Sequence, residues 1–70
     1  MLMNYFAKRL YELRNEAGIS RSDLAEKLNV SVRTIAYWES GNRECSFDML
    51  IKIANLFGTS IDYLLGKFDF

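Results

Sequence analysis

The chain contains 70 residues, half of them apolar, and its nine basic side chains balance nine acidic ones. This length supports one compact domain, because chains of about this size bury roughly 60% of the surface that they expose when unfolded. The apolar content excludes a disordered chain, and the sequence lacks an apolar run of about 18 residues, which excludes a membrane span. We also expect no signal peptide, since the first ten residues lack an apolar core.

An all-α fold is predicted, because proline is absent and no segment shows the alternation of a strand. Apolar residues first recur at helical spacing between positions 6 and 17, which predicts a helix over about residues 4–17 with Asn4 as its N-cap. This stripe consists of Phe6, Leu10, Leu13 and Ala17. Each of the four glycines follows a helical segment, where a residue with positive φ commonly ends a helix.

Two short helices are predicted next, each beginning after a serine that can cap its first turn. Ser20 precedes a second helix that extends to about Leu28, with Asp23 in the capping-box position. Ser31 precedes a third helix over about residues 32–40.

The last two helices have the same serine signal. Ser46 precedes a fourth helix, and Ser60 precedes a short fifth helix, Ile61–Leu65. The stripe that the fourth helix is expected to bury consists of Leu50, Ile53, Ala54 and Phe57. No linker, repeat or low-complexity segment interrupts the chain, so residues 1–70 are predicted to form a single domain of five helices.

The second and third helices have the features of a helix-turn-helix motif over about residues 21–40. The small Ala25 permits close approach of the two helices, and the three-residue turn between them forces a steep angle. Ile35 and Trp38 mark the inner face of the third helix, which leaves the opposite face outside the domain. A projecting helix about 10–12 Å across fits the major groove of B-DNA, which is roughly 12 Å wide.

Chemical composition argues against catalysis and metal binding. The single Cys45 cannot form an internal disulfide, and without histidine a metal site has few ligands. The sequence also lacks an activated nucleophile and a glycine-rich phosphate-binding motif. We therefore expect a reduced, cytoplasmic protein that is not an enzyme and binds no metal, cofactor or small-molecule ligand. Cys45 is interpreted as a small filler of the core rather than a redox sensor.

The charge of the chain does not by itself show whether the chain binds nucleic acid. A net charge of zero argues against DNA binding, since most DNA-binding domains carry a basic surface. Residues 20–43 hold four basic and three acidic side chains, an excess of only +1. The N-termini of helices two and three can nevertheless bind phosphate through free N–H groups, which adds no formal charge.

The segment "SRSDLAEKLNVSVRTIAYWESGN" resembles the lambda-repressor-like (Cro/repressor-type, XRE-like) helix-turn-helix family. The resemblance covers about residues 8–65 and includes "RLYELRNEAGIS" before this segment and "LIKIANLFGTSIDYLL" after it. It implies a five-helix DNA-binding domain without catalytic activity, which acts as a homodimer on a double-stranded operator with two-fold symmetry. The implied function is that of a sequence-specific transcriptional regulator, a repressor, which reads the major groove with its third helix.

The resemblance also implies roles for individual residues at the DNA. The start of the third helix and the loop that follows it would meet bases and backbone, and the first residue of the second helix would approach a phosphate. By this similarity the DNA-binding residues are Arg21, Ser31, Val32, Arg33, Thr34, Tyr37, Asn42 and Arg43. Val32, Arg33 and Tyr37 would face base edges.

One further pair is implied by the family, and three positions depart from its pattern. Glu39 would form an internal ion pair with Arg14, which removes an acidic charge from the DNA-facing side. Family members often have glutamine in place of Arg21, a polar residue in place of Val32, and proline in place of Cys45. The first two departures mean that the operator sequence cannot be inferred from the family.

A different function remains open for the same fold, namely that of a protein–protein interaction module or an antitoxin that holds a partner protein. Apolar side chains that the core stripes do not need are consistent with such a partner and with a homodimer. The predicted dimer surface lies in the C-terminal region and includes Leu56, Tyr63, Phe68 and Phe70. A basic outer face on the third helix favours DNA, whereas an acidic face would have favoured a protein partner.

Overall fold

The computed structural model describes residues 2–66, with side chains from residue 5 onward. This part of the chain is helical and has no strand, which confirms the predicted all-α fold. The helices lie where the sequence predicts them, except at the start of the first and the end of the last. They are α1 (Leu2–Ala17), α2 (Arg21–Leu28), α3 (Val32–Ser40), α4 (Phe47–Phe57) and α5 (Ile61–Leu64).

The predicted N-cap role of Asn4 is wrong. Helix α1 already includes Leu2 and Met3, so Asn4 lies inside its first turns. Leucine and methionine are good helix formers, and the helix therefore continues through the position at which an asparagine could have started it.

The buried face of α1 ends in a charged residue. Phe6 and Leu10 are fully buried, and Arg14, the next position of this row, is buried as well. Leu13 is only partly buried and Ala17 is exposed, although both belong to the predicted stripe. A buried guanidinium needs a charged or polar partner, so the position of Arg14 depends on what lies opposite it.

All four predicted serine caps are present. Each serine hydroxyl accepts a hydrogen bond from the backbone N–H three residues later, at 2.9–3.1 Å. The Asp23 carboxylate also accepts a bond from the Ser20 N–H at 3.2 Å, which completes the predicted capping box. Asn29 ends α2 with a left-handed φ of 59°, so the chain can turn towards α3 at once.

The core holds α3 by its inner face. Helix α1 packs against α3 and α5, α2 packs against α3, and α4 packs against α5. Phe6 meets the indole of Trp38 edge to face, with ring centres 6.3 Å apart and an interplanar angle of 67°. Ile35 is fully buried and Trp38 is 4% exposed, so both belong to the core, as predicted.

Arg9 joins α1 to the end of α5. Its Nε donates to the carbonyl oxygen of Tyr63 at 3.2 Å, and its guanidinium lies 4.4 Å from the centre of the Tyr63 ring and 5.9 Å from that of Tyr5. Gly66 follows with a φ of +78°, and a Cβ at this position would overlap the Tyr5 side chain. Both the backbone conformation and the close contact therefore require glycine.

Replacing Gly66 should reveal this contact. We expect Gly66→Ala to lower the melting temperature more than Gly58→Ala does. Gly58 has a similar φ of +66° but open space around it, so its substitution costs only the left-handed strain of about 1 kcal/mol. Thermal unfolding followed by circular dichroism gives both values. Equal losses would mean that Tyr5 moves aside without cost.

Cys45 is half-buried and packs against the core, as expected for a small filler. Burial raises the pKa of its thiol to about 11, so that very little thiolate, the reactive form, exists at neutral pH.

The alkylation rate of Cys45 tests this environment. At pH 8 we expect iodoacetamide to modify the folded chain about a hundredfold more slowly than the urea-unfolded chain, because a pKa about two units higher leaves correspondingly less thiolate. The rate in the folded chain should continue to rise with pH until about pH 11. Mass spectrometry of timed samples measures it. Similar rates in both states would show a freely reactive thiol.

Candidate nucleic-acid interface

Helix α3 exposes the face opposite to its core contacts. Val32 and Arg33 are exposed in its first turn, while Thr34 and Tyr37 are half-buried. Arg33 forms no ion pair with another residue of the described chain. The first turn of α3 therefore offers an apolar side chain and an unneutralised guanidinium.

The N-cap of α3 occupies two of the predicted DNA-binding residues. The Ser31 hydroxyl accepts the Thr34 N–H at 3.1 Å, and the two hydroxyls lie 2.9 Å apart. These bonds fix both side chains at the start of the helix. A hydroxyl has one donor and two acceptor positions, so each keeps some capacity for a further hydrogen bond.

The loop after α3 brings Arg43 back to the outer face of the helix. The Asn42 N–H donates to the carbonyl oxygen of Tyr37 at 3.0 Å, which sets the direction of the loop. The Arg43 guanidinium lies 4.9 Å from the centre of the Tyr37 ring, within the range of a cation–π contact. Tyr37 and Arg43 were predicted as separate DNA-binding residues, but in the structure their side chains contact each other.

A buried ion pair anchors the end of α3 to α1. Arg14 donates to both carboxylate oxygens of Glu39, from Nε at 2.6 Å and from Nη2 at 3.2 Å, and to the Ile19 carbonyl at 3.0 Å. The hydrogen bond with Glu39 raises the pKa of Arg14, whereas burial acts in the opposite direction. The pair thus removes the acidic charge of Glu39 from the surface that α3 presents.

Arg21 begins α2, as predicted, but it makes a contact that the sequence did not predict. Its Nε donates to Glu39 Oε1 at 2.9 Å, so Glu39 binds two arginines. The two residues are 18 positions apart and no local pattern connects them. The contact arises because the start of α2 lies beside the end of α3. Arg21 remains exposed despite this contact.

The proposed dimer surface is only partly described by the structure. Leu56 on α4 is exposed, whereas Tyr63 on α5 is half-buried with its ring against Arg9. Phe68 and Phe70 lie outside the described residues. Sequence reasoning missed Phe47, which is 67% exposed, and Ile51 one turn later on α4. Their four-residue spacing, which falls beside the buried stripe of α4, was the available signal.

Within residues 2–66, no group of three or more histidine, cysteine or acidic side chains lies close enough to hold a metal ion. The helices of the same region are all too short or too polar to cross a membrane.

Comparisons with known proteins place this geometry in a family. Residues 10–64 match the helix-turn-helix family model. The HTH-type transcriptional regulator ImmR of Bacillus subtilis is 43% identical over 60 residues, which cover 86% of this chain and 47% of ImmR. The regulator AnsR of the same organism is 41% identical over 59 residues, covering 84% of this chain and 51% of AnsR.

A solved structure that is similar to this chain is also that of a transcriptional regulator. A transcriptional regulator from Listeria innocua superposes with a TM-score of 0.85 at 40% identity, over 93% of this chain and 61% of that one. The chain spans about half the length of the curated relatives described above. The match over residues 10–64, together with the five-helix architecture, shows that the chain belongs to the lambda-repressor-like helix-turn-helix family.

Proposed function

We propose that this chain is a sequence-specific DNA-binding transcriptional regulator, a repressor, that reads the major groove of double-stranded DNA with α3. The observation that carries the proposal is the division of α3 into two faces. Ile35 and Trp38 fix the inner face in the core, and the outer face carries Arg33, whose guanidinium has no partner in the described chain. Such a regulator acts on DNA in the cytoplasm and needs no catalytic group.

Different residues of this face would make different kinds of contact. Arg33, in the first turn of α3, can donate two hydrogen bonds to guanine O6 and N7, and Val32 can meet a thymine methyl group. Arg43, supported by the Tyr37 ring, is suited to the phosphate backbone. Ser31, Thr34 and Asn42 lie at the ends of α3 and would contribute hydrogen bonds to the backbone. Base contacts supply specificity, and phosphate contacts supply register and affinity.

The neutral net charge is compatible with this role because acidic and basic side chains are distributed unevenly around α3. Glu39 is neutralised inside the domain, while Arg21, Arg33 and Arg43 are exposed around α3. Because only a few arginines would neutralise phosphates, the affinity should fall less steeply with salt than for a strongly basic domain.

A second copy of the chain is part of the proposal. Helix α3 has nine residues and is about 13 Å long, so it can follow only about four base pairs. A site this short recurs far too often among the roughly 10⁶ or more competing sites of a genome. Two copies related by a two-fold axis would place their α3 helices about 34 Å apart, one turn of DNA, and read a palindromic operator. We assign the contact to α5 and its flanks, which include Leu56 and Tyr63.

The base-reading role of Arg33 can be separated from backbone binding. Operator half-sites are first selected from a random duplex library, and affinities are then measured on single-base variants. Arg33→Ala should lose about 1–3 kcal/mol at one base pair per half-site and bind variants of that pair almost equally. Arg43→Ala serves as the control, with a uniform loss on all variants. A uniform loss for Arg33→Ala as well would exclude a base-reading role.

Assembly is tested by sedimentation with and without a palindromic duplex. We expect a homodimer that is weak in solution and becomes stronger on DNA, because the duplex holds both copies together. A chain truncated after Gly66 should dimerise less, since it lacks Phe68 and Phe70. If the truncated chain assembles as well as the full one, the tail has no role in the dimer. A complex of one protein per duplex would exclude the dimer itself.

A further inference from the structure

Glu39 carries one negative charge and is bound by two positive side chains. Its side chain is only 1% exposed, and the bonds from Arg14 and Arg21 reach it from α1 and α2. The three charges sum to +1. The surplus positive charge lies at the surface on Arg21, whose side chain is 47% exposed, whereas the Arg14 side chain is only 10% exposed.

The two arginines use their nitrogens differently. All three nitrogens of Arg14 donate to Glu39 or to the Ile19 carbonyl. Arg21 donates to Glu39 only through Nε, and its two terminal nitrogens form no hydrogen bond with the described residues. Because a guanidinium is planar and rigid, fixing Nε against a buried carboxylate orients its opposite edge. That edge has the fork geometry that binds a phosphate through two parallel bonds.

We propose that Glu39 is a positioning residue for DNA binding, which holds the Arg21 guanidinium in the plane that receives a backbone phosphate. This inference rests on the proposed function and adds to it a role for a residue that does not touch DNA. An arginine that is already oriented loses less rotational freedom when it binds, so the phosphate contact becomes more favourable. The arrangement needs arginine at this place, since neither lysine nor glutamine has both an Nε donor and a terminal fork.

The effect of removing the Glu39 charge distinguishes this role from simple electrostatics. If Glu39 acted only as a negative charge near DNA, Glu39→Gln would strengthen binding, because like charges repel. If Glu39 positions Arg21, the same substitution weakens binding, because a neutral amide offers one weaker acceptor to two competing arginines. The two hypotheses therefore predict opposite changes in DNA affinity for Glu39→Gln.

The experiment measures binding of the full chain to a mixed-sequence duplex of about 20 base pairs at several salt concentrations. The variants are Glu39→Gln, Arg21→Ala and the double substitution. Glu44→Gln is the matched control, since it removes the same charge from an exposed residue of the loop after α3. Thermal melting of each variant sets a titration temperature at which every chain is folded, so that the expected loss of stability in Glu39→Gln does not enter the affinities.

We expect Arg21→Ala to weaken binding about tenfold or more and to flatten the salt slope by about one unit, which corresponds to one lost phosphate contact. Glu39→Gln should weaken binding about threefold to tenfold, and it should have no further effect in the Arg21→Ala background. Glu44→Gln should leave binding unchanged or slightly tighter.

Three outcomes would overturn the inference. Glu39→Gln could bind as tightly as the unsubstituted chain or more tightly, its loss could persist undiminished in the Arg21→Ala background, or Arg21→Ala could leave affinity and salt slope unchanged. Failure of the unsubstituted chain to bind any duplex would instead overturn the proposed function itself, and this inference with it.

Discussion

Three helices of the domain meet at the carboxylate of Glu39. The residue belongs to α3, while Arg14 reaches it from α1 and Arg21 from α2. Breaking a buried pair of this kind by removing one partner typically costs about 3–5 kcal/mol, because the remaining charge stays buried without compensation. The fold therefore requires α3 to end where both arginines can reach it. This constraint sets the position of α3 along its own axis.

Apolar packing and hydrogen bonding fix different aspects of the placement of α3. Ile35 and Trp38 fill the core and decide which face is buried, but contacts between apolar surfaces have little directional preference. Hydrogen bonds between charged groups do depend on direction, and those of Glu39 fix the helix against rotation and sliding. A base-reading side chain must be placed to within about 0.5 Å. These buried contacts therefore fix the position of the outer face of α3, which carries Arg33 in its first turn.

Features that depend on neighbours in the chain could be predicted from the sequence. Four serine caps and the apolar spacing between them predict α2 to α5, because both act within one or two helical turns. The same rules fail at Asn4, where good helix formers before it continue the helix. Contacts between distant positions could not be predicted, such as Arg21 with Glu39 and Arg9 with Tyr63. These two pairs are 18 and 54 positions apart, and they exist only after the helices have packed.

Selection of bound duplexes from a random library shows whether the outer face of α3 reads a specific DNA sequence. We predict enrichment of one motif with two-fold symmetry, whose half-sites have centres about 10 base pairs apart. Recovered sequences that share no motif after repeated rounds, from a chain that is folded throughout, would contradict this prediction.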